Sequence, residues 1–152
     1  MPSSSRFAVA IHVLTLMARS RGSEPLKSGQ VAASVNTNPV VIRRILCELG
    51  RARLVTSQTG AAGGSKLALP PGEITLLDVY RAVDAGDIFS LHRQPPNNQC
   101  FVGMNIETVL GGILEEVSGA VEGVLAKITI ENVLERLQPC PPARSRKRRE
   151  RV

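Results

Sequence analysis

A chain of 152 residues is sized for one compact domain, or one small domain with an appendage, rather than two full domains. Hydrophobic residues at 43% and charged residues at 21% permit a buried core and exclude wholesale disorder, while 3% aromatics with no tryptophan exclude stacking platforms for single-stranded nucleic acid. Charge is segregated: residues 1–69 carry nine Lys or Arg against Glu24 and Glu48, net +7, residues 70–142 carry four against ten, net −6, and the last ten residues return +5; the front half is built to meet a polyanion, with DNA, RNA and a membrane surface left open by composition.

In chain order, Ser3, Ser4 and Ser5 offer an N-cap to a first helix whose apolar face includes Phe7, Val13, Leu14 and Met17, running to Arg19 and ended by Gly22. Ser28 is placed to cap a short helix over 29–35, with Val31, Ala32 and Val35 inward. The tetrapeptide Asn36-Thr37-Asn38-Pro39 is the best-marked boundary: Asn38 suits the N-cap, and Pro39 the first helical position, where its missing N–H costs nothing. The helix begun at Pro39 buries Ile42, Ile45, Leu46 and Leu49 at i, i+3, i+4 and i+7. At 100° per residue the opposite face carries Val40, Arg44, Cys47 and Arg51, flanked by Arg43 and Glu48. A short helix, a tight turn and a second helix with a free basic face have the layout of a helix-turn-helix; an ordinary helical hairpin with solvated arginines is the alternative.

Residues 54–58 read as a strand and 66–69 as its partner, joined by the glycine-rich stretch 59–65. Three small helices followed by such a hairpin describe a winged helix. The glycine run is otherwise a flexible loop, and it lacks the Gly-Lys-Ser/Thr ending of a nucleotide-binding loop. Thr75 caps a helix over 76–83, and residues 92–98 form a polar, proline-bearing loop. A long helix is expected over about 105–127, with Ile106, Val109, Leu110, Ile113, Leu114, Val117 and Val121 making an apolar seam, and Gly111, Gly112, Gly119 and Gly123 each costing about 1 kcal/mol unless close helix approach compensates. A seam of this kind outside a small domain pairs with a second copy. Thr129 caps a last helix over 130–137, and the basic stretch 144–151 is expected to be disordered.

Three cysteines, with no secretory leader read, imply a reducing, cytoplasmic setting without a disulfide framework. No apolar run approaches the roughly 20 residues of a membrane helix; the longest, residues 7–18, is interrupted by His12 and Thr15.

The segments Ser5-Arg6-Phe7-Ala8-Val9, Asn38-Pro39-Val40-Val41-Ile42-Arg43-Arg44, Gly63-Gly64-Ser65-Lys66-Leu67 and the run from Ile74 to Val83 resemble, in this order, the Rrf-two family of bacterial winged-helix regulators. Its kin include the iron-sulfur cluster regulator, the nitric-oxide-sensitive repressor and the cysteine-metabolism repressor. The resemblance covers about residues 3–137. It implies a mainly α fold with a small β-hairpin, a homodimer on a partly palindromic double-stranded DNA operator, a second helix in each major groove and a wing in each minor groove, with the long helix as dimer seam. Members with a cluster place three cysteines in the loop before that helix. Here Cys100 stands there alone, with Cys47 in the reading helix and Cys140 in the tail, so this chain resembles the members without a cluster and no metal or cofactor is expected.

The residues divide accordingly into a winged helix-turn-helix over 1–86, a sensor loop and dimerisation helices over 87–137, and a basic tail over 138–152. Arg43 and Arg44 are the main candidates for base contact; Val40 suits a thymine methyl, Asn38 caps more than it reads, and Thr37 is close enough to join. Arg6, Arg51, Arg53 and Lys66 suit phosphates, and Gln58, Thr59 and Gly60 lie at the wing. Cys100, with His92 and Arg93 near, is the candidate sensor for a redox or small-molecule effector, an incidental thiol being the alternative. The function that follows is a dimeric DNA-binding transcription regulator, a repressor released by a signal, and not an enzyme, for no nucleophile, base and acid set is present. The alternative is a winged-helix module that binds protein, which the basic face disfavours.

Overall fold

The computed structural model describes residues 3–20, 24–83 and 86–137. The expected helix stop at Gly22, the tail with its arginines, and Cys140 lie outside them. Among the described residues six helices and one hairpin follow in order: α1 Ser3–Arg19, α2 Ser28–Val35, α3 Pro39–Arg51, β1 Val55–Gln58, β2 Gly64–Leu67, a 3-10 turn Pro71–Glu73, α4 Leu76–Val83, α5 Phe101–Leu125 and α6 Ile130–Arg136. The core forms where α1 lays Ala10, Val13, Leu14 and Met17 against Val31 and Ala32 of α2, the apolar stripe of α3, and Leu76, Val79 and Val83 of α4. Phe7 closes one edge, its ring meeting Tyr80 edge-on at 5.6 Å.

Several boundaries move from their expected positions. Helix α2 begins at Ser28, with Lys27 in the cap position and its backbone N–H donated to Gln30 Oε1 at 2.8 Å, so the serine is inside the first turn. Strand β2 starts two residues early, pairing Gln58 with Gly64 and Val55 with Leu67. The wing tip is therefore shorter, because Gly64 adopts φ +150° and extends the ladder. Helix α5 begins at Phe101, one turn before Asn105, with Cys100 as its N-cap.

Two backbone pairings join distant parts of the chain. Leu26 and Ser65 exchange N–H···O bonds of 2.9 Å in both directions, giving the wing base a third, one-residue strand. Near α4, the Leu76 N–H reaches Ile128 O at 2.8 Å and the Ile130 N–H reaches Ile74 O at 2.9 Å. Thr75 and Thr129 face each other across this bridge, and each caps its own helix: Thr75 is bonded to Asp78 and Thr129 to Asn132. Ile74 and Ile130, both fully buried, thus bring α6 onto α1. The last helix of the stretch expected as sensor loop and dimerisation helices, 87–137, therefore packs on α1.

At Gly64 an added Cβ would fall 2.8 Å from Leu26 O and 2.9 Å from Pro25, on a φ that side chains rarely adopt. Gly64→Ala should lower stability by roughly 1–3 kcal/mol, read as a fall in the urea midpoint at constant slope.

Candidate nucleic-acid interface

The Asn38 side chain accepts the Val40 N–H at 2.9 Å, and Pro39 follows as the first helical residue. Asn38 is therefore committed to starting α3. The turn before it is held by Asn36 in the left-handed region (φ 60°, ψ 53°) and by the Thr37 N–H bonded to Ala32 O at 3.0 Å. With Ile42, Ile45, Leu46 and Leu49 buried, α3 presents Val40, Arg43, Arg44, Cys47 and Arg51 outward, Val40 being 48% exposed.

The arginines do not act on one surface. Arg43, Cys47 and Arg51 line a 750 Å³ groove whose far wall is the wing, with Ser57, Gln58 and Thr59. A 2.8 Å hydrogen bond between the Ser57 and Ser65 hydroxyls ties the two wing strands together at its floor. Arg44 points to the other flank, where a 340 Å³ cleft also holds Arg6, Val41, Ile45 and Glu48. Thr37 is half-buried in the turn, Gly60 sits at the exposed tip with φ +100°, and Lys66 is exposed on β2, outside the groove.

Arg6, expected to meet phosphate, is half-buried and ion-paired with Glu48 across 42 residues of sequence. Glu48 was the acid available to Arg43 and Arg44 as a helix neighbour; with Arg6 taking it, neither arginine is ion-paired among the described residues. Nothing local marks the Arg6–Glu48 pairing. His12 is exposed on α1, its Nε2 within 3.0 Å of the Ser34 hydroxyl, a surface partner rather than a packing residue.

Cys100 is exposed at the start of α5, and its thiol is held below the usual thiol range by the N–H groups of Gly103 and then Val102. The cause is the open helix end, not the His92 and Arg93 side chains that the sequence suggests. Because the thiolate is favoured, iodoacetamide should modify Cys100 in the native chain at a lower pH than in the urea-unfolded chain, followed by mass spectrometry of the peptide and absent in Cys100→Ser.

A family model described as iron-dependent transcriptional regulator, Rrf2, matches residues 3–136. The chain belongs to the Rrf2 family of transcriptional regulators. It is 42% identical over 135 residues to the candidate HTH-type transcriptional regulator YwnA of Bacillus subtilis (strain 168), covering 88% of this chain and 98% of that protein. It is also similar to the crystal structure of a candidate DNA-binding protein, at TM-score 0.68 and 38% identity over 85% of this chain and 98% of that one. The oxidized form of Staphylococcus aureus CymR shares the fold, with TM-score 0.69 and 21% identity over 91% of this chain and all of that one.

The Rrf2 description raises the question of an iron site. Cys47 lies exposed on α3 and Cys100 at the head of α5, and no three His, Cys, Asp or Glu side chains converge as a metal site among the described residues. These residues do not fit the ligand set of an iron-sulfur cluster within one chain. Among the described residues no helix is long and apolar enough to cross a membrane.

Proposed function

We propose that this Rrf2 regulator is a homodimer that binds a partly palindromic duplex, placing α3 in a major groove and the wing in the adjoining minor groove. The carrying observation is the outward face of α3, with Arg43 and Arg51 facing the wing across a groove and Arg44 beside them, unpaired among the described residues. Arg43 and Arg44 make the base or close phosphate contacts. Arg51 and Lys66 hold phosphates, and Gln58, Thr59 and Gly60 approach the minor groove. Few aromatics and two exposed arginine flanks favour a duplex over single strands.

The dimer reading rests on α5. None of its 25 residues is buried, and Phe101 (79% exposed), Val109, Ile113 and Val124 leave an apolar face uncovered along a rod of about 37 Å. An added Cβ at Gly111, Gly112, Gly119 or Gly123 would meet nothing within 4 Å in the single chain. The helix penalty of four glycines is therefore offset only by another helix coming close. The work of the chain is binding rather than catalysis, in the cytoplasm. As a repressor it leaves its operator when a signal, carried by a small molecule or by oxidation near Cys100, alters the seating of α5. The winged unit, the loop and dimer helices, and the basic tail divide these tasks.

Genome-wide recovery of bound fragments supplies the operator. On it, Arg43→Ala with Arg44→Ala should weaken binding by roughly a hundredfold while sedimentation still shows two copies; undiminished binding would displace the reading face from α3. Arg51→Ala should weaken all sequences alike and lower the salt slope by about one. Val109→Glu with Ile113→Glu should give a monomer of unchanged helix content by circular dichroism, and with it the loss of operator binding.

A further inference from the structure

The cleft on the outer flank of α3 holds an arrangement that DNA contact alone does not explain. Arg6 comes from the first turns of α1, and Glu48 and Arg44 stand one helical turn apart on α3. Arg6 is paired with Glu48 Oε1, the two side chains being 33% and 26% exposed. The second carboxylate oxygen, Oε2, is shut off from solvent and has no hydrogen-bond partner. Arg44 lines the same 340 Å³ cleft and is exposed, so a single carboxylate lies within the ambit of two guanidinium groups and is held by the one from α1.

We propose that Arg6 is a positioning residue that acts through Glu48: by neutralising this carboxylate it leaves the Arg44 guanidinium, exposed at the edge of the same cleft, unpaired among the described residues and free to meet the nucleic acid. Without Arg6, Glu48 is an anion with neither oxygen paired, partly removed from water, and it draws in the cation available on its own helix. Arg44 is then withdrawn from the reading face although no residue that touches DNA has changed. Arg6 itself donates nothing to phosphate, in contrast to the role its charge suggests from sequence.

This inference rests on the proposed DNA reading, and its test separates the two. Operator affinity is measured by fluorescence anisotropy for the wild type, Arg6→Ala, Glu48→Gln and the double variant. Arg6→Ala should weaken binding roughly tenfold, and adding Glu48→Gln should restore it to within about threefold of Glu48→Gln alone, because an amide does not capture Arg44. In an Arg44→Ala background, Arg6→Ala should cost nothing further, and Arg6→Lys, which keeps the cation, should bind like the wild type. Should Arg6→Ala not fold, the Arg6→Lys and Arg6→Ala/Glu48→Gln pair still decides, since direct phosphate contact predicts that the double variant stays as weak as a lost arginine contact. Equal losses with and without Glu48→Gln would overturn the proposal and leave the DNA reading intact. A wild type that binds no duplex would remove both.

Discussion

The burial of one stripe on α3 governs the rest of the molecule. Ile42, Ile45, Leu46 and Leu49 each stand to gain about 1.5–3 kcal/mol by leaving water, and a helix that buries them on α1 and α4 has one rotation about its axis. That rotation puts Val40, Arg43, Arg44, Cys47 and Arg51 outside. The basic face is thus a consequence of core packing, and the Asn38 cap fixes where along the axis it begins.

The same core fastens the second half of the chain. Ile74 and Ile130 are buried side by side at a two-strand bridge flanked by two capped helix starts, so the end of α5 cannot shift without moving α4 and α6. A further tie, Arg81 to Glu122 at 3.1 Å, is more than one-third exposed at both ends and adds little energy. The apolar face of α5 is the reverse case: among the described residues nothing buries it. A C-terminal end tied into the core and an uncovered length describe an element through which a second copy would bear on the placement of α4 and α6.

The two arginines that sequence places together are parted by the fold. Arg43 faces the wing and Arg44 the α1 side, which makes α3 a ridge between two basic clefts of different chemistry. One is walled by the hydroxyls of Ser57, Thr59 and Ser65 and the amide of Gln58. The other contains the half-buried carboxylate of Glu48, paired with Arg6 from the first helix.

Much of this was legible in the residues because the forces concerned act over short stretches of chain. The stripe of α3, the Asn38-Pro39 start, the Thr75 and Thr129 caps and the order of helices and hairpin follow from periodicity and from side chains that bond their own neighbours. The outward placement of Val40, Arg43, Arg44, Cys47 and Arg51 followed with them, as did a long helix whose apolar residues its own chain leaves uncovered. What only the tertiary structure decided involves partners far apart in sequence: Arg6 with Glu48, Leu26 with Ser65, and Ile74 with Ile130. The earlier start of β2 belongs here as well, since Gly64 joins the ladder where Leu26 pairs alongside with Ser65. Local pattern sets which face of each element is apolar; which charge meets which depends on how the faces are stacked, and that is a property of the whole packed chain.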